Sequence, residues 1–354
     1  MKTTETIKET CLLNLHQSLG AKCIPFAGYN LPVWYSNLKD EHLAVREKSG
    51  IFDVSHMGLL ELKGNEAKDL LQKLFTNDIN KTLPDKMVYG FFLNEQGMIL
   101  DDVMCGCLND TFLVIVNASN KAKIIAWINA NKPSSVSVND LNDEYAFMAV
   151  QGPEAIKQLE STFRIDLSLL KRFRIQEQTI FSEKCNILRT GYTGEDGVEI
   201  MAPVAIAEKI FKTCVDAGIT PCGLAARDTL RLEKALPLYG QELSESIHPF
   251  MTRYTWAVKL DTNFIGKESL LDVKDNPEFV TVGLELPEKM IPRPHNKIEE
   301  GGQITSGTLS PSLNKPIALA FVKPEYAELG SVVHVEVRKK SVEAKVIDLP
   351  FVNN

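Results

Sequence analysis

The chain has 354 residues, of which 44% are hydrophobic and 24% are charged, and its formal net charge is −7 at pH 7. This composition is typical of a globular protein with a sizeable core, and the length indicates two or three domains. The acidic balance, without a block of Lys and Arg, disfavours nucleic acid as a partner.

The N-terminal segment Met1–Glu9 predicts no leader sequence. It lacks the apolar core of a signal peptide, and its acidic residues disfavour a transit peptide. The longest apolar run, Phe112–Val116, is far too short to cross a bilayer, so no membrane association is predicted. The seven scattered cysteines favour reduced and mostly packed thiols. These features predict a bacterial-type cytoplasmic protein.

The next fifty residues predict two helices on either side of a turn-rich loop. The first helix ends near Gly20, and the loop is Pro25–Pro32, where Pro and Gly interrupt any regular pattern. The second helix runs from about Lys39 to Ser49, with Asn37 as its cap and Gly50 as its stop.

A strand, a helix, a three-stranded meander and a further helix are predicted next, from their apolar periodicity and turn residues. The strand is Leu59–Lys63, and the helix that follows it is Glu66–Phe75. The meander consists of Val88–Leu93, Met98–Cys107 and Phe112–Val116, with turns at Asn94–Gly97 and Asn109–Asp110. The last helix is capped by Ser119 and reaches roughly Asn131.

A short internal echo links two parts of the chain. Gly64–Ala67 resembles Gly152–Ala155, which lies 88 residues later, and apolar positions beyond it repeat at the same offset. Each copy predicts a strand that runs through a Gly turn into an amphipathic helix. Val198–Met201, followed by a helix over Ala205–Ala217, predicts a third unit. Such units mixed with hairpins predict an α+β fold.

After a polar, Pro-containing break at Asp272–Phe279 the chain becomes rich in strands. These strands predict a small antiparallel barrel. They are Val280–Leu286, Ile317–Val322, Val332–Arg338 and Val342–Leu349.

Asp101 and Asp102 form the most unusual pattern in the meander. In a strand their carboxylates point to opposite faces, so they are not a cooperating acid pair. Both faces are apolar, and periodicity cannot choose between them. A carboxylate on an apolar face is costly unless it is paired, hydrogen-bonded or functional. A structural partner, such as a backbone donor or an Arg, explains the pattern equally well.

Two further segments carry polar residues in unusual contexts. Thr190–Glu199 is rich in Gly but is not a phosphate-binding loop, and a hairpin turn would leave Tyr192 and Glu199 unexplained. Pro221–Glu233 predicts a helix with Arg227 and Arg231 on one face, and a solvated Arg stripe is the commoner interpretation. Trp256 is predicted to be a core residue or a ring stacked near a ligand.

The segment Glu41–Gly58 is the most distinctive of the chain. Ser55-His56 suggests a nucleophile and a base, but adjacent side chains point apart, and no metal-ligand spacing is present. As a whole string it closely resembles the EHxAVRxxxGxFDVSHMG signature of the T-protein family of the glycine cleavage system. Five other segments match that family in order: Phe26–Pro32, Gly97–Asp102, Arg189–Glu195, Gly223–Glu233 and Ile304–Pro311.

The resemblance implies an aminomethyltransferase. Such an enzyme takes the aminomethyl group from the lipoyl arm of lipoylated H-protein and transfers its methylene carbon to tetrahydrofolate, giving 5,10-methylenetetrahydrofolate and ammonia. No metal is implied. The family fold resembles a three-domain cloverleaf with folate in a central hole. For this chain it implies a discontinuous first α+β domain (1–54 plus 140–272), a second α+β domain (55–139) and a C-terminal β-barrel domain (273–354).

The resemblance also assigns roles to residues. It matches Asp102 to the catalytic carboxylate, which settles the choice of face, and Glu199 to an acceptor for the pterin edge. Arg227 is suited to an anionic or carbonyl group of the folate. The C-terminal tail lacks the Arg or Tyr that relatives place there, and Arg293 is the candidate for the glutamate end. The predicted walls of the folate site are Tyr192, Tyr89, Met57 and Trp256.

Two other functions within the same fold remain open. One is a non-catalytic folate-binding protein, whose relatives carry a Lys-Gly-Cys-Tyr type of motif that is absent here. The other is a folate-dependent demethylase of a small methylated compound, because substrate class can change within one fold.

Overall fold

The computed structural model of the chain describes residues 7–82, 84–108 and 111–353. Two predictions fall outside these ranges. One is the turn at Asn109–Asp110, and the other concerns Met1–Glu9, most of which is not described. The helices are α1 (Leu13–Ser18), α2 (Leu38–Glu47), α3 (Ala67–Leu74), α4 (Lys121–Asn131), α5 (Ala155–Phe163), α6 (Val204–Asp216), α7 (Leu224–Glu233) and α8 (Lys267–Val273). In the described ranges, none of them combines the length and the apolar character that a bilayer crossing requires.

The strands stand singly or in runs of up to five before, between and after these helices, and most of them pair antiparallel, which is typical of an α+β fold. They are β1 (Lys8–Glu9), β2 (Lys22–Phe26), β3 (Tyr29–Trp34), β4 (Gly50–Asp53), β5 (Gly58–Lys63), β6 (Met87–Leu93), β7 (Ile99–Leu108), β8 (Thr111–Val116), β9 (Ser137–Asp140), β10 (Tyr145–Gln151), β11 (Ile175–Ile180), β12 (Glu183–Leu188), β13 (Gly197–Pro203), β14 (Thr220–Pro221), β15 (Val280–Glu285), β16 (Gly302–Leu309), β17 (Pro316–Val322), β18 (Val332–Val337) and β19 (Lys340–Ile347).

Within the described residues, these strands form four sheets. A three-stranded sheet has the order β1-β3-β2, and a six-stranded sheet has the order β11-β12-β13-β10-β4-β14. One five-stranded sheet has the order β6-β7-β8-β5-β9, and the C-terminal one has the order β16-β17-β15-β19-β18. Every pairing in the C-terminal sheet is antiparallel, as predicted for a barrel-like domain.

The chain folds into two compact units, each made of three segments. Unit 1 takes the chain up to Leu70, then Asn80–Val88 and Met104–Asp228. Unit 2 takes Leu71–Ile79, Tyr89–Val103 and the chain from Thr229 onwards. The predicted division into three domains stays a prediction.

The core of unit 1 lies between the six-stranded sheet and its helices. On α6, Ala207, Ile210, Phe211 and Cys214 are all fully buried, at the i, i+3, i+4, i+7 spacing of one helix face. They pack with α5 against strands such as β10, whose residues are buried on both sides of the sheet. The fold therefore fixes β10 and β13 rigidly, and these two strands carry residues of the candidate site.

Unit 2 has separate cores. One packs on the C-terminal sheet, in which β17, an inner strand between β16 and β15, is buried along its whole length. Another joins Phe91, Leu93 and Ile99 from the β6–β7 segment to a later group that includes Leu243 and Leu270. All five side chains are fully buried.

The internal echo is confirmed. The helices α3 and α5 begin with Ala67 and Ala155, and the backbone N–H of each donates to the carbonyl of Gly64 (3.1 Å) or Gly152 (3.0 Å). The two glycines have φ of +133° and +134°, a conformation that L side chains rarely adopt. The same strand–turn–helix device therefore occurs twice.

Three local predictions were wrong. Residues Pro25–Pro32 do not form a loop but most of the hairpin β2–β3, whose turn residues Ala27 and Gly28 both have positive φ, as tight hairpins require. Ser119 does not cap α4, because it lies in a 3₁₀ turn ahead of that helix. Strand β16 was not predicted, since its Gly, Thr and Ser residues give a weak apolar pattern. The cap of α2 is confirmed: Asn37 accepts from the N–H of Asp40 at 3.0 Å.

Candidate functional site

Polar residues of unit 1 come together around Glu199 on β13, whose charge interacts with that of Arg227 on α7. Glu199 lies on β13 between Val198 and Ile200, which are fully buried in the core. Because side chains alternate along a strand, the Glu199 carboxylate projects from the opposite face of the sheet. We call this carboxylate and the residues around it (Thr190, Tyr192, Arg227 and His56) the Glu199 cluster.

Thr190 is the direct partner of this carboxylate. Its hydroxyl donates to Glu199 Oε2 at 2.5 Å. Burial raises the pKa of Glu199, while the Thr190 hydrogen bond and the positive charge of Arg227 oppose the rise. The carboxylate thus keeps unused acceptor capacity in a poorly solvated position.

Arg227 lies on α7 with its guanidinium 4.6 Å from the centre of the Tyr192 ring. Burial lowers its pKa, and Tyr192 and Glu199 act against that change. Among the described residues, none accepts a hydrogen bond from the guanidinium. Its planar set of N–H donors therefore remains available to a ligand that offers carbonyl or anionic oxygens.

His56 completes the Glu199 cluster as a neutral ring. It is buried, with the Phe26 ring edge-on at a centroid distance of 5.9 Å and the Tyr29 ring tilted at 6.4 Å. Burial lowers its pKa to about 4, Arg227 contributes in the same direction, and Asp53 opposes it. Its Nδ1 atom has no hydrogen-bond partner among the described residues. His56 is therefore uncharged at neutral pH, and Ser55, whose hydroxyl donates to the Phe147 carbonyl at 3.1 Å, is not its nucleophile partner.

A second group of residues, which we call the Asp102 cluster, lies in unit 2. On β7 the residues Ile99, Asp101 and Val103 are buried, whereas Asp102 on the other face is partly exposed. The Tyr89 hydroxyl donates to Asp102 Oδ2 at 3.2 Å. The alternation predicted for the two carboxylates is therefore present.

Aromatic rings surround this hydrogen bond. The Tyr89 ring lies 5.6 Å from Tyr254 and 5.7 Å from Trp256, measured between centroids. Trp256 is 50% exposed, so the rings form an accessible apolar wall rather than a closed core. Burial raises the pKa of Tyr254, and the negative charge of Asp102 adds to that effect. A carboxylate beside an open aromatic wall suits a flat, cationic or polar ligand.

The second arginine of α7 has a different role from the first. Arg231 is 2% exposed and donates to Glu242 at 3.0 Å and to Ser306 at 2.8 Å, all within unit 2. The interpretation of Arg227 and Arg231 as a solvated stripe was therefore wrong. An internal ion pair of this kind fixes the last turn of α7.

The family assignment rests on matches over nearly the whole chain. Residues 12–262 match the GCVT N-terminal domain, and residues 280–353 match the glycine cleavage T-protein C-terminal barrel domain. The chain belongs to the glycine cleavage T-protein family. The aminomethyltransferase of Bacillus subtilis (strain 168) is 42% identical over 358 residues, which cover 98% of this chain and 99% of that protein. The aminomethyltransferase of Synechococcus elongatus is 40% identical over 363 residues, with 99% and 98% covered.

A solved T-protein structure has the same fold. The crystal structure of glycine cleavage system aminomethyltransferase T from Bartonella henselae matches with a TM-score of 0.91 at 31% identity, and the match covers 98% of each chain. The α+β fold predicted from the sequence is thereby confirmed.

Within this T-protein fold, Met57 and Arg293 stand apart from the other predicted residues. Met57 is partly exposed after β4, and its carbonyl accepts from the Asn142 amide at 2.8 Å. Arg293 is exposed on a turn before β16, where its backbone N–H donates to Asn296 Oδ1 at 2.8 Å. Their roles stay predictions. Over residues 7–82, 84–108 and 111–353, no group of three or more His, Cys, Asp and Glu side chains could hold a metal ion.

Sequence reasoning overlooked Tyr254 and the partner of Glu199. Tyr254 stands two residues before Trp256, and this alternation was the available signal for a shared aromatic wall. Thr190 lies in the Gly-rich segment that was singled out, but nothing in its spacing indicates that its hydroxyl meets Glu199. Such contacts depend on how β12 and β13 pair, which local patterns do not encode.

Proposed function

We propose that this chain is an aminomethyltransferase that acts on tetrahydrofolate and on the aminomethyl-lipoyl arm of lipoylated H-protein. Full-length similarity to proteins named aminomethyltransferase, 42% identical over 98% of the chain in the Bacillus subtilis case, carries the proposal. The products are 5,10-methylenetetrahydrofolate, ammonia and the dihydrolipoyl form of H-protein. The position of folate in a central hole stays a prediction.

The Glu199 cluster has the chemistry to recognise tetrahydrofolate. A pterin presents an edge of amine and amide N–H donors, and the poorly solvated Glu199 carboxylate is a strong acceptor for them. Arg227 offers the complementary donors to a carbonyl or anionic group. Tyr192, which already lies under Arg227, supplies a flat apolar surface. We assign these three residues to folate binding.

The Asp102 cluster has the chemistry to promote the transfer itself. Two folate nitrogens each form a C–N bond to the aminomethyl carbon, while the bonds from that carbon to the ammonia nitrogen and to the lipoyl sulfur break. The two protons that the folate nitrogens lose balance those that the departing amine and the lipoyl sulfur gain. Positive charge develops on the carbon as these groups leave. A fixed carboxylate stabilises that charge and can accept a proton that a folate nitrogen loses. Asp102 therefore takes the catalytic role, with Tyr89 and Trp256 as wall residues.

The first prediction concerns Asp102→Asn, assayed with aminomethyl-lipoyl H-protein and tetrahydrofolate. The amide keeps the size of the carboxylate but loses its charge, so kcat should fall by about 10²- to 10³-fold. The folate Kd should stay within about threefold, because the change leaves the Glu199 cluster intact. Ammonia release and direct folate titration measure the two effects. Full turnover in this variant would exclude the catalytic role.

The second prediction concerns Glu199→Gln in the same assay. A hydrogen bond to a charged acceptor contributes about 1.5–3 kcal/mol, so the folate Kd should rise by about 10- to 100-fold. Glu177→Gln on the exposed face of β11 is the matched control. An unaltered folate affinity would remove Glu199 from the binding site. Folate binding by the wild type without ammonia release would instead favour the non-catalytic alternative, and turnover of a methylated amine would favour the demethylase.

A further inference from the structure

We propose that Gln151 is a positioning residue that holds residues 189–196, the recognition loop, in the conformation in which Thr190 reaches Glu199. This inference deepens the proposed function and rests on it, because it concerns how the folate-binding carboxylate is prepared. Gln151 is the last residue of β10 and is 1% exposed. None of its side-chain atoms needs to touch the substrate for this role.

The Gln151 amide is bonded to both halves of the recognition loop. Its Nε2 donates to the carbonyl of Thr190 at 3.0 Å and to the carbonyl of Val198 at 3.3 Å. Its Oε1 accepts from the Thr193 hydroxyl at 2.9 Å. Nε2 also donates to the Val150 carbonyl at 3.3 Å, so its two N–H donors are shared among three carbonyls, of which that of Thr190 belongs to the loop. The acceptor oxygen is used by Thr193 of the loop. One buried side chain thus sets the distance between the start of the loop and its middle.

Gly191 in the loop and Gly197 directly after it both lie very close to the Gln151 side chain. A Cβ atom at Gly191 would lie 1.8 Å from Gln151 Oε1, and one at Gly197 would lie 2.9 Å from Nε2. Gly191 therefore excludes a side chain while the amide occupies its place, whereas at Gly197 the nearer obstacle is the Val150 carbonyl oxygen at 2.3 Å. The Gly-rich segment, which an ordinary hairpin turn explained only in part, is shaped around Gln151.

Arg46 of α2 holds the opposite side of the recognition loop. Its guanidinium donates to the Thr193 carbonyl at 2.7 Å and to Glu195 at 2.8 Å. Arg46 and Gln151, which lie on different elements, therefore both hold Thr193 in the second half of the loop. In the first half, Gln151 is bonded directly to Thr190. Without the amide, the Thr190 carbonyl would lose a buried partner, and its hydroxyl would no longer be held against Glu199.

The surroundings of Glu199 make this positioning measurable. Arg227 is the charged group that faces the carboxylate, and the residues opposite it on the neighbouring strands, Leu188 and Ala149, are apolar. The Thr190 hydrogen bond favours the ionised carboxylate, so its loss should raise the Glu199 pKa further. A purely structural role for Gln151 would lower stability but leave this pKa unchanged.

The test compares Gln151→Met with Gln178→Met, which makes the same change at a partly exposed position of β11, where the Gln178 amide donates to the Asp166 carbonyl at 2.8 Å. The carboxyl carbon of Glu199 is titrated by NMR in labelled protein without any ligand, and the folate Kd is measured as a function of pH. In Gln151→Met the Glu199 pKa should rise by about 0.5–1 unit, and the folate Kd at neutral pH should rise by about 5- to 20-fold. The kcat at saturating folate should change by less than about threefold. Gln178→Met should alter none of these.

Folded Gln151→Met with an unchanged Glu199 pKa would overturn the inference. If this variant does not fold, Gly191→Ala displaces the same amide and should produce the same rise, and an unchanged pKa there would be equally decisive. Thr190→Val gives the full effect of losing the hydrogen bond, and Thr190→Ser should restore the wild-type pKa. Because the titration needs no folate, a wild type that fails to bind folate would reject the proposed function without affecting this result.

Discussion

Burial of single polar groups controls the chemistry of both clusters. Glu199 and Arg227 carry opposite charges and influence each other, yet within the described structure they form no direct ion pair. Each keeps hydrogen-bonding capacity that a ligand can use. His56 nearby stays neutral and leaves the local positive charge to Arg227. The arrangement leaves these charged groups to be satisfied by a ligand rather than by another side chain.

The third prediction concerns the effect of His56 on stability. Its pKa is 6.5 in an ordinary setting and about 4 in the fold, so the folded protein favours the neutral ring. The contribution to stability is complete above pH 6.5 and is lost as the pH falls towards 4. At about pH 5 this loss is about 2 kcal/mol relative to neutral pH.

The variant His56→Phe should remove that part of the pH dependence. Denaturant unfolding at about pH 7 and about pH 5 measures it, and the neutral-pH stability should change by no more than about 1 kcal/mol because the Nδ1 atom is already unpaired. His295→Gln, at an exposed position, is the control. Equal slopes of stability against pH in the wild type and His56→Phe would contradict the prediction.

At the scale of elements, the repeated strand–turn–helix device depends on its glycines. A Cβ atom at Gly152 would lie 2.3 Å from the Lys48 carbonyl oxygen and 2.7 Å from Ser49 Cα. At Gly218, after α6, φ is +90° but no heavy atom lies within 4 Å of such a Cβ. Gly218 therefore carries backbone strain alone, whereas Gly152 combines strain with steric contact.

The fourth prediction compares Gly152→Ala with Gly218→Ala. The first should lower the free energy of unfolding by about 3 kcal/mol or more, because backbone atoms must move. The second should cost only about 1–2 kcal/mol, from the left-handed conformation alone. Urea unfolding of both variants and of the wild type measures the two losses of unfolding free energy. Similar costs at the two glycines would show that contact with Lys48 does not matter.

Local patterns predicted elements well where one face is apolar and one is polar. The spacing on α6 and the repeated Gly turns identified their helices, since burial imposes the helical period directly. They failed at Pro25–Pro32, where two prolines obscured a hairpin whose turn is set by Ala27 and Gly28. Arg231 was also misjudged, because its partners Glu242 and Ser306 are brought close only by the tertiary fold. The same limit applied to Thr190 and Tyr254.

At the scale of the whole molecule, the two units are interleaved along the chain. Unit 2 needs Leu71–Ile79 and Tyr89–Val103, although most of it follows Thr229. Phe91, Leu93 and Ile99 from the earlier part are fully buried in a core with much later residues. A fragment that begins at Thr229 therefore lacks part of its own interior.

The fifth prediction is that residues 229–354 expressed alone will not unfold cooperatively. Loss of a large buried side chain costs about 2–5 kcal/mol, and three such losses approach or exceed the whole stability of a typical domain. Near-ultraviolet circular dichroism and dye binding should show poorly packed, exposed apolar surface, with the full chain as the control. A sharp unfolding transition in the fragment would contradict the importance of the earlier segment.

The shared core of unit 2 also delays the point during synthesis at which it can form. During synthesis Ile99 emerges about 170 residues before Leu270, its fully buried companion in the same core. At about 5–20 residues per second, the ribosome needs roughly ten to thirty seconds to produce the missing partners. For that interval the apolar face of the β6–β7 segment has no native cover. Contacts this distant in sequence slow folding, and an uncovered apolar face of this kind is prone to aggregate until its later partners have been made.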